Sequence, residues 1–133
     1  MFKPLQLSQL LEPLNATLYG ADAEFSTLST DSRKASGGQL FVALRGEFFD
    51  GLAYLADVAK RGVIAAVVEE IQPDINIPQL CVADTRIALG QIALINRQQF
   101  TGQTVAVTGS SGKTTVKEML ASICRCALGE KAV

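Results

Sequence analysis

Thr108-Gly109-Ser110-Ser111-Gly112-Lys113-Thr114-Thr115 follows an apolar stretch, Thr104 to Val107, and leads into an amphipathic one, about Lys113 to Ala127. Val116, Leu120 and Ile123 recur there at helical spacing, so the order reads as strand, glycine loop, helix. A Gly/Ser loop in that setting turns consecutive backbone N–H groups toward one point, and the helix N-terminus adds its positive dipole end. Such a point attracts an anion. Lys113 can set its ammonium against the outer phosphates of a nucleoside phosphate, and the Thr114 hydroxyl stands where Mg²⁺ is ordinarily ligated. Thr115 and the backbone of Gly109, Ser110, Ser111 and Gly112 would cradle the rest. Fewer residues separate Gly109 from Gly112 than in the common phosphate loop. The alternative is a plain Gly/Ser turn carrying a solvated lysine.

Upstream of the loop, strand and helix patterns alternate, which favours an α/β layered fold. Leu7, Leu10, Leu11 and Leu14 suggest a short first helix behind Ser8, and Ser26 to Thr30 a short strand. Leu40 to Leu44 and Val63 to Val68 are continuous apolar strands, and Leu52 to Arg61 between them reads as a helix closed by Gly62. Gln79 to Ala83 gives a further strand and Asp84 to Gln99 a long helix with Ile87, Leu89, Ile92 and Ile95 among its apolar positions. Phe100-Thr101-Gly102-Gln103 is the boundary. Residues 1–100 are expected to form a complete small domain. Residues 101–133 supply the first strand, P-loop and helix of a P-loop ATPase domain that would need more strands to cover Val105 and Val107.

Composition narrows the chemistry. The 133 residues hold 12 basic and 13 acidic side chains, a net charge of -1 with no long basic run, which argues against duplex nucleic acid or an anionic membrane as partner. Histidine is absent, which removes Ser-His and Cys-His nucleophile pairs, imidazole bases and His-zinc sites from these residues. Cys81, Cys124 and Cys126 are odd in number, and the last two point to different faces of a helix, so reduced thiols and a cytoplasmic setting are expected. No apolar run approaches the roughly 18 residues that span a bilayer, and Met1-Phe2-Lys3-Pro4 does not open a signal segment.

A second polar block carries further chemistry. Thr30-Asp31-Ser32-Arg33-Lys34 reads as a loop whose hydroxyl, backbone and guanidinium donors suit a uracil edge or a pyrophosphate. Equally, Asp31 and Ser32 could shape an Asx turn beside a solvated Arg33.

Taken with the loop, this block resembles the Mur ligases, the ATP-dependent amide-bond ligases of peptidoglycan synthesis. The resemblance rests on Thr108 to Thr115, on Val116-Lys117-Glu118-Met119, and on Thr30 to Lys34 followed by Gly38-Gln39-Leu40-Phe41-Val42-Ala43-Leu44-Arg45-Gly46 and Asp50-Gly51. It covers nearly the whole chain. It implies a UDP-binding domain over residues 1–100, with Ser32 as the uridine-side contact, Thr30 beside it, and Glu47, Phe48 and Phe49 on the neighbouring loop. Relatives often carry a basic residue where Phe48 stands and a histidine where Leu52 stands. The resemblance further implies ATP and Mg²⁺ at Gly109 to Thr115, with Lys113 catalytic. It implies UDP-MurNAc-tripeptide and D-alanyl-D-alanine as substrates, joined through an acyl phosphate, in a cytoplasmic monomer serving cell-wall synthesis, cell shape and division. A family member adding a single amino acid, or a stand-alone binding module, remains open. Lys117 and Glu118 read as an exposed helix face, and this chain alone is expected to be inactive as a ligase.

Overall fold

The computed structural model describes residues 3–46 and 50–129 of the chain, which divides into two compact units, Met1–Phe100 and Thr101–Val133. In the first unit the elements are β1 (Leu5–Gln6), a 3-10 turn (Leu7–Leu10), α1 (Leu11–Leu14), β2 (Thr17–Tyr19), β3 (Glu24–Phe25), β4 (Leu28–Ser29) and β5 (Leu40–Val42). A second 3-10 turn (Gly51–Tyr54), α2 (Leu55–Lys60), β6 (Ala65–Val68), β7 (Gln79–Cys81) and α3 (Thr85–Gln99) complete it.

Among the described residues the main sheet has five strands in the order β2-β7-β6-β5-β4, and β1 pairs with β3 in a separate antiparallel ribbon. Strands β4 to β7 run parallel, with Leu40 opposite Ala65 and Val67 opposite Leu80, while β2 closes one edge antiparallel to β7. Every residue of β5 and β6 is buried, as strands covered on both faces require. Alternate side chains feed two cores. Leu40, Val42, Ala65 and Val67 pack with Leu10, Leu14, Ala88 and Ile92 from the α1 and α3 side; Phe41, Ala43, Ala66 and Val68 pack with Leu55 and Val58 of α2.

Local chemistry sets the helix limits. The Asp84 carboxylate accepts from the N–H groups of Arg86 (2.8 Å) and Ile87 (2.9 Å), capping α3. The expected helices over Leu7 to Leu14 and Leu52 to Arg61 form as a 3-10 turn passing into a short α-helix in each case. β1, β2 and β3 were not anticipated: each is two or three residues long, too short for a period to register, and forms by pairing with distant chain.

In the second unit α4 spans Lys113–Leu128. The strand expected at Thr104 to Val107 is not formed. A strand exists only as a hydrogen-bonded pair, and among the described residues of this unit there is no second strand to supply a ladder; Val105 is 75% exposed.

Candidate functional site

The polar block after β4 lies at the carboxyl ends of the parallel strands, where open α/β sheets hold ligands. Thr30, Asp31, Ser32 and Arg33, with Tyr54 from the 3-10 turn before α2, line an open cleft of about 530 Å³. The block is tightly tied. Asp31 accepts from the Arg33 backbone N–H (3.0 Å) and holds its guanidinium in a two-pronged pair, Nε to Oδ1 and one terminal nitrogen to Oδ2, both 3.0 Å. The Asp31 carbonyl accepts from the amides of Lys34 and Ala35 and from the Ser29 hydroxyl, whose oxygen in turn accepts from the Asp31 N–H. From the end of α2, Arg61 donates to the Arg33 carbonyl at 2.7 Å.

Electrostatics follow the geometry. The Arg33 guanidinium bonded to Asp31 holds that carboxyl down at about 2, aided by the Arg33 backbone N–H, and the guanidinium pKa is raised in return. Asp31 thus shapes an Asx turn, and Arg33, with 85% of its side chain exposed, lines the cleft while paired to it. Thr30 and Ser32 are half-buried, and among the described residues their side chains make no hydrogen bond. Glu47, Phe48 and Phe49 lie outside the described residues. Arg45 and Asp50 form a backbone bridge, and the Gly51 N–H donates to the Leu44 carbonyl at 2.8 Å. Gly51 has no room for a side chain: a Cβ would sit 2.9 Å from Ala43 Cα, Ala43 C and Leu44 O.

Sequence reasoning missed Ser29, Tyr54 and Arg61. A hydroxyl two residues before an aspartate was a usable signal for Ser29; the Arg61 contact spans 28 residues and left none.

In the other unit, Gly109 to Gly112 lead directly into α4. Gly112 occupies the helix N-cap at φ +75° and Gly109 has φ +152°, conformations that glycine adopts without strain. The first helical bond runs from the Val116 N–H to the Gly112 carbonyl, so the amides of Lys113, Thr114 and Thr115 stand ahead of it as helix N-terminal donors. Ser110, Ser111, Thr114 and Thr115 are exposed, and the Lys113 ammonium rests on the Gly109 carbonyl at 2.5 Å. The loop thus gathers amides, hydroxyls and one ammonium, a donor set suited to phosphate. Lys117 pairs with Glu118 at 2.7 Å on the exposed helix surface, lowering the Glu118 pKa. Among the described residues no three His, Cys, Asp or Glu side chains cluster to hold a metal, and no helix is long and apolar enough to cross a membrane.

Residues 24–107 match a family model described as "Mur ligase family, catalytic domain", a match that ends just before the glycine loop. The UDP-N-acetylmuramoyl-tripeptide--D-alanyl-D-alanine ligase of Escherichia coli (strain K12) is 51% identical over 88% of this chain and 26% of the ligase. A crystal structure of MurF from Acinetobacter baumannii matches with a TM-score of 0.82 and 41% identity, over 94% of this chain and 28% of that one. The MurF ligase from Thermotoga maritima in complex with ADP matches at 0.63 and 30% identity, over 75% and 23%. The chain spans about a quarter of the length of the curated relatives it matches.

Proposed function

This chain belongs to the Mur ligase family, and from that premise we propose that it is the UDP-holding and phosphate-loop part of an ATP-dependent ligase that joins D-alanyl-D-alanine to UDP-MurNAc-tripeptide. The observation that carries the reading is the pairing of two donor sets in one chain. One is the Thr30–Arg33 cleft at the carboxyl edge of the sheet; the other is the Gly109–Gly112 loop at the start of α4. Half-identity to a ligase named for that reaction supports the choice of substrates, and the ADP-bound relative supports a nucleotide at the loop.

In this reading Ser32 offers its hydroxyl to the uridine end, with Thr30 beside it and Glu47, Phe48 and Phe49 as further contacts. Gly109, Ser110, Ser111, Gly112, Thr114 and Thr115 hold the ATP phosphates, and Lys113 leaves the Gly109 carbonyl to neutralise charge on the transferring phosphoryl group. ATP supplies the phosphoryl group that converts a substrate carboxylate to an acyl phosphate, from which an incoming amine displaces phosphate. Mg²⁺ bound to the phosphates would take the Thr114 hydroxyl as a ligand, with water and phosphate oxygens completing its shell. The whole protein acts as a monomer in the cytoplasm.

Calorimetric titration of the 133-residue chain tests this. UDP and UDP-MurNAc-tripeptide should bind, Ser32→Ala should weaken both, and Lys113→Ala should weaken ATP alone. A folded chain that binds neither uridine compound at millimolar concentration would overturn the reading.

A further inference from the structure

The hydrogen bonds of the Thr30–Arg33 block surround Ser32 without using its side chain. The residue before it is held at its N–H, its carbonyl and its carboxylate; the residue after it is held at its N–H, its carbonyl and its guanidinium. Ser32 and Thr30 line the cleft, half-buried, and among the described residues their side chains have no hydrogen-bond partner. An exposed loop has no need of so many ties for stability alone, since solvated backbone groups can bond to water. The ties do what a binding site requires: they remove the conformational freedom that a ligand would otherwise have to remove.

We propose that Asp31 and Arg61 are positioning residues, which hold the Thr30–Ser32 turn in its ligand-ready form and act on a uridine diphosphate only through Ser32. This rests on the UDP reading above. Asp31 closes the turn by accepting the Arg33 N–H and fixes the guanidinium on the same carboxylate. Arg61 anchors the far side of the turn to the end of α2, a contact made 28 residues away in sequence.

Charge gives the proposal a sign that a bystander role would not share. A carboxylate beside a diphosphate repels it, so a bystander Asp31 removed as Asp31→Ala or Asp31→Asn should tighten UDP binding, more so at low salt. A positioning Asp31 predicts the reverse: Asp31→Ala weakens UDP binding by roughly tenfold. Asp31→Asn retains an oxygen that accepts the Arg33 N–H and recovers most of that loss.

The test is a double-mutant cycle on the full 133-residue chain, with UDP as the calorimetric probe and a thermal melt for every variant. Asp31→Ala, Asp31→Asn, Arg61→Met and Ser32→Ala are measured singly, and Asp31→Ala and Arg61→Met again in the Ser32→Ala background. The expected result is that Asp31→Ala, Arg61→Met and Ser32→Ala each weaken UDP binding alone, that Asp31→Asn stays close to the unmodified chain, and that Asp31→Ala and Arg61→Met add nothing once Ser32 is alanine. Full additivity, or tighter binding on loss of Asp31, overturns the proposal. If Asp31→Ala melts before it can be titrated, Arg61→Met carries the cycle. Absence of UDP binding by the unmodified chain is a separate failure, that of the UDP reading itself.

Discussion

Gly51→Ala and Gly90→Ala add the same methyl group to the same unit and should move stability in opposite directions. At Gly51 the new Cβ would stand 2.9 Å from three backbone atoms, Ala43 Cα, Ala43 C and Leu44 O. Ordinary contacts begin well beyond that, and backbone cannot rotate away as a side-chain tip can, so β5's exit or the 3-10 turn must shift. The hydrogen bond from Gly51 N–H to the Leu44 carbonyl, 2.8 Å, lies in the path of that shift. Overpacking of this kind costs about 2 kcal/mol. For a unit of this size that lowers Tm by roughly 10 °C. Gly90 lies inside α3 with nothing within 4 Å of its would-be Cβ, so alanine there gains helix propensity and should stabilise by about 0.5–1 kcal/mol. Urea unfolding of both variants with unchanged m-value is the assay. Because the Arg45–Asp50 bridge flanks Gly51, its variant should also weaken UDP binding, whereas Gly90→Ala should not. A Gly51→Ala chain as stable as the unmodified one would refute the steric reasoning.

Other outcomes follow from single contacts. Lys113→Ala should weaken ATP binding by roughly ten- to a hundredfold, the worth of a charge-assisted bond, and leave UDP binding alone; calorimetry with each nucleotide checks it. Asp84→Ala removes the acceptor for two amides at the start of α3 and should cost about 1 kcal/mol in urea unfolding. Asp31 titrates at about 2 in the folded chain against an ordinary 3.8, so its contribution is present above pH 4 and fades as pH falls toward 2. Urea midpoints followed from pH 5 to pH 2 should therefore fall less steeply in Asp31→Asn than in the unmodified chain.

What could be read in the sequence was what is local. The buried strands β5 and β6 announce themselves as unbroken apolar runs because both faces are covered. α3 and α4 are legible because each is long enough to show its period and begins at a recognisable signal, the Asp84 cap and Gly112. β1, β2 and β3 exist only through partners elsewhere in the chain, so no local pattern reports them. Thr104 to Val107 fail in the opposite sense: the local pattern is a good strand, and among the described residues the pairing partner is missing. At the cleft, Thr30 to Arg33 stood out by residue type, but the wiring from Ser29 and Arg61 is a product of folding, and Arg61 carried no signal at all.

The fold itself argues for the side of the sheet on which a ligand sits. Four parallel strands end at one edge, so four exits compete for it. Those of β6 and β7 are spent on each other: Glu69, just past β6, accepts both the N–H and the hydroxyl of buried Thr85, each at 3.0 Å, where α3 begins. That pair satisfies its own polar groups and leaves little for a ligand. The exits of β4 and β5 behave otherwise. After β4 the chain is braced and yet leaves the Thr30 and Ser32 hydroxyls in a cleft, and after β5 it is pinned by the Arg45–Asp50 backbone bridge and the Gly51 N–H. Swapping which pair of exits is closed, by giving the turn after β4 an internal partner for Ser32, should abolish uridine binding with the sheet intact.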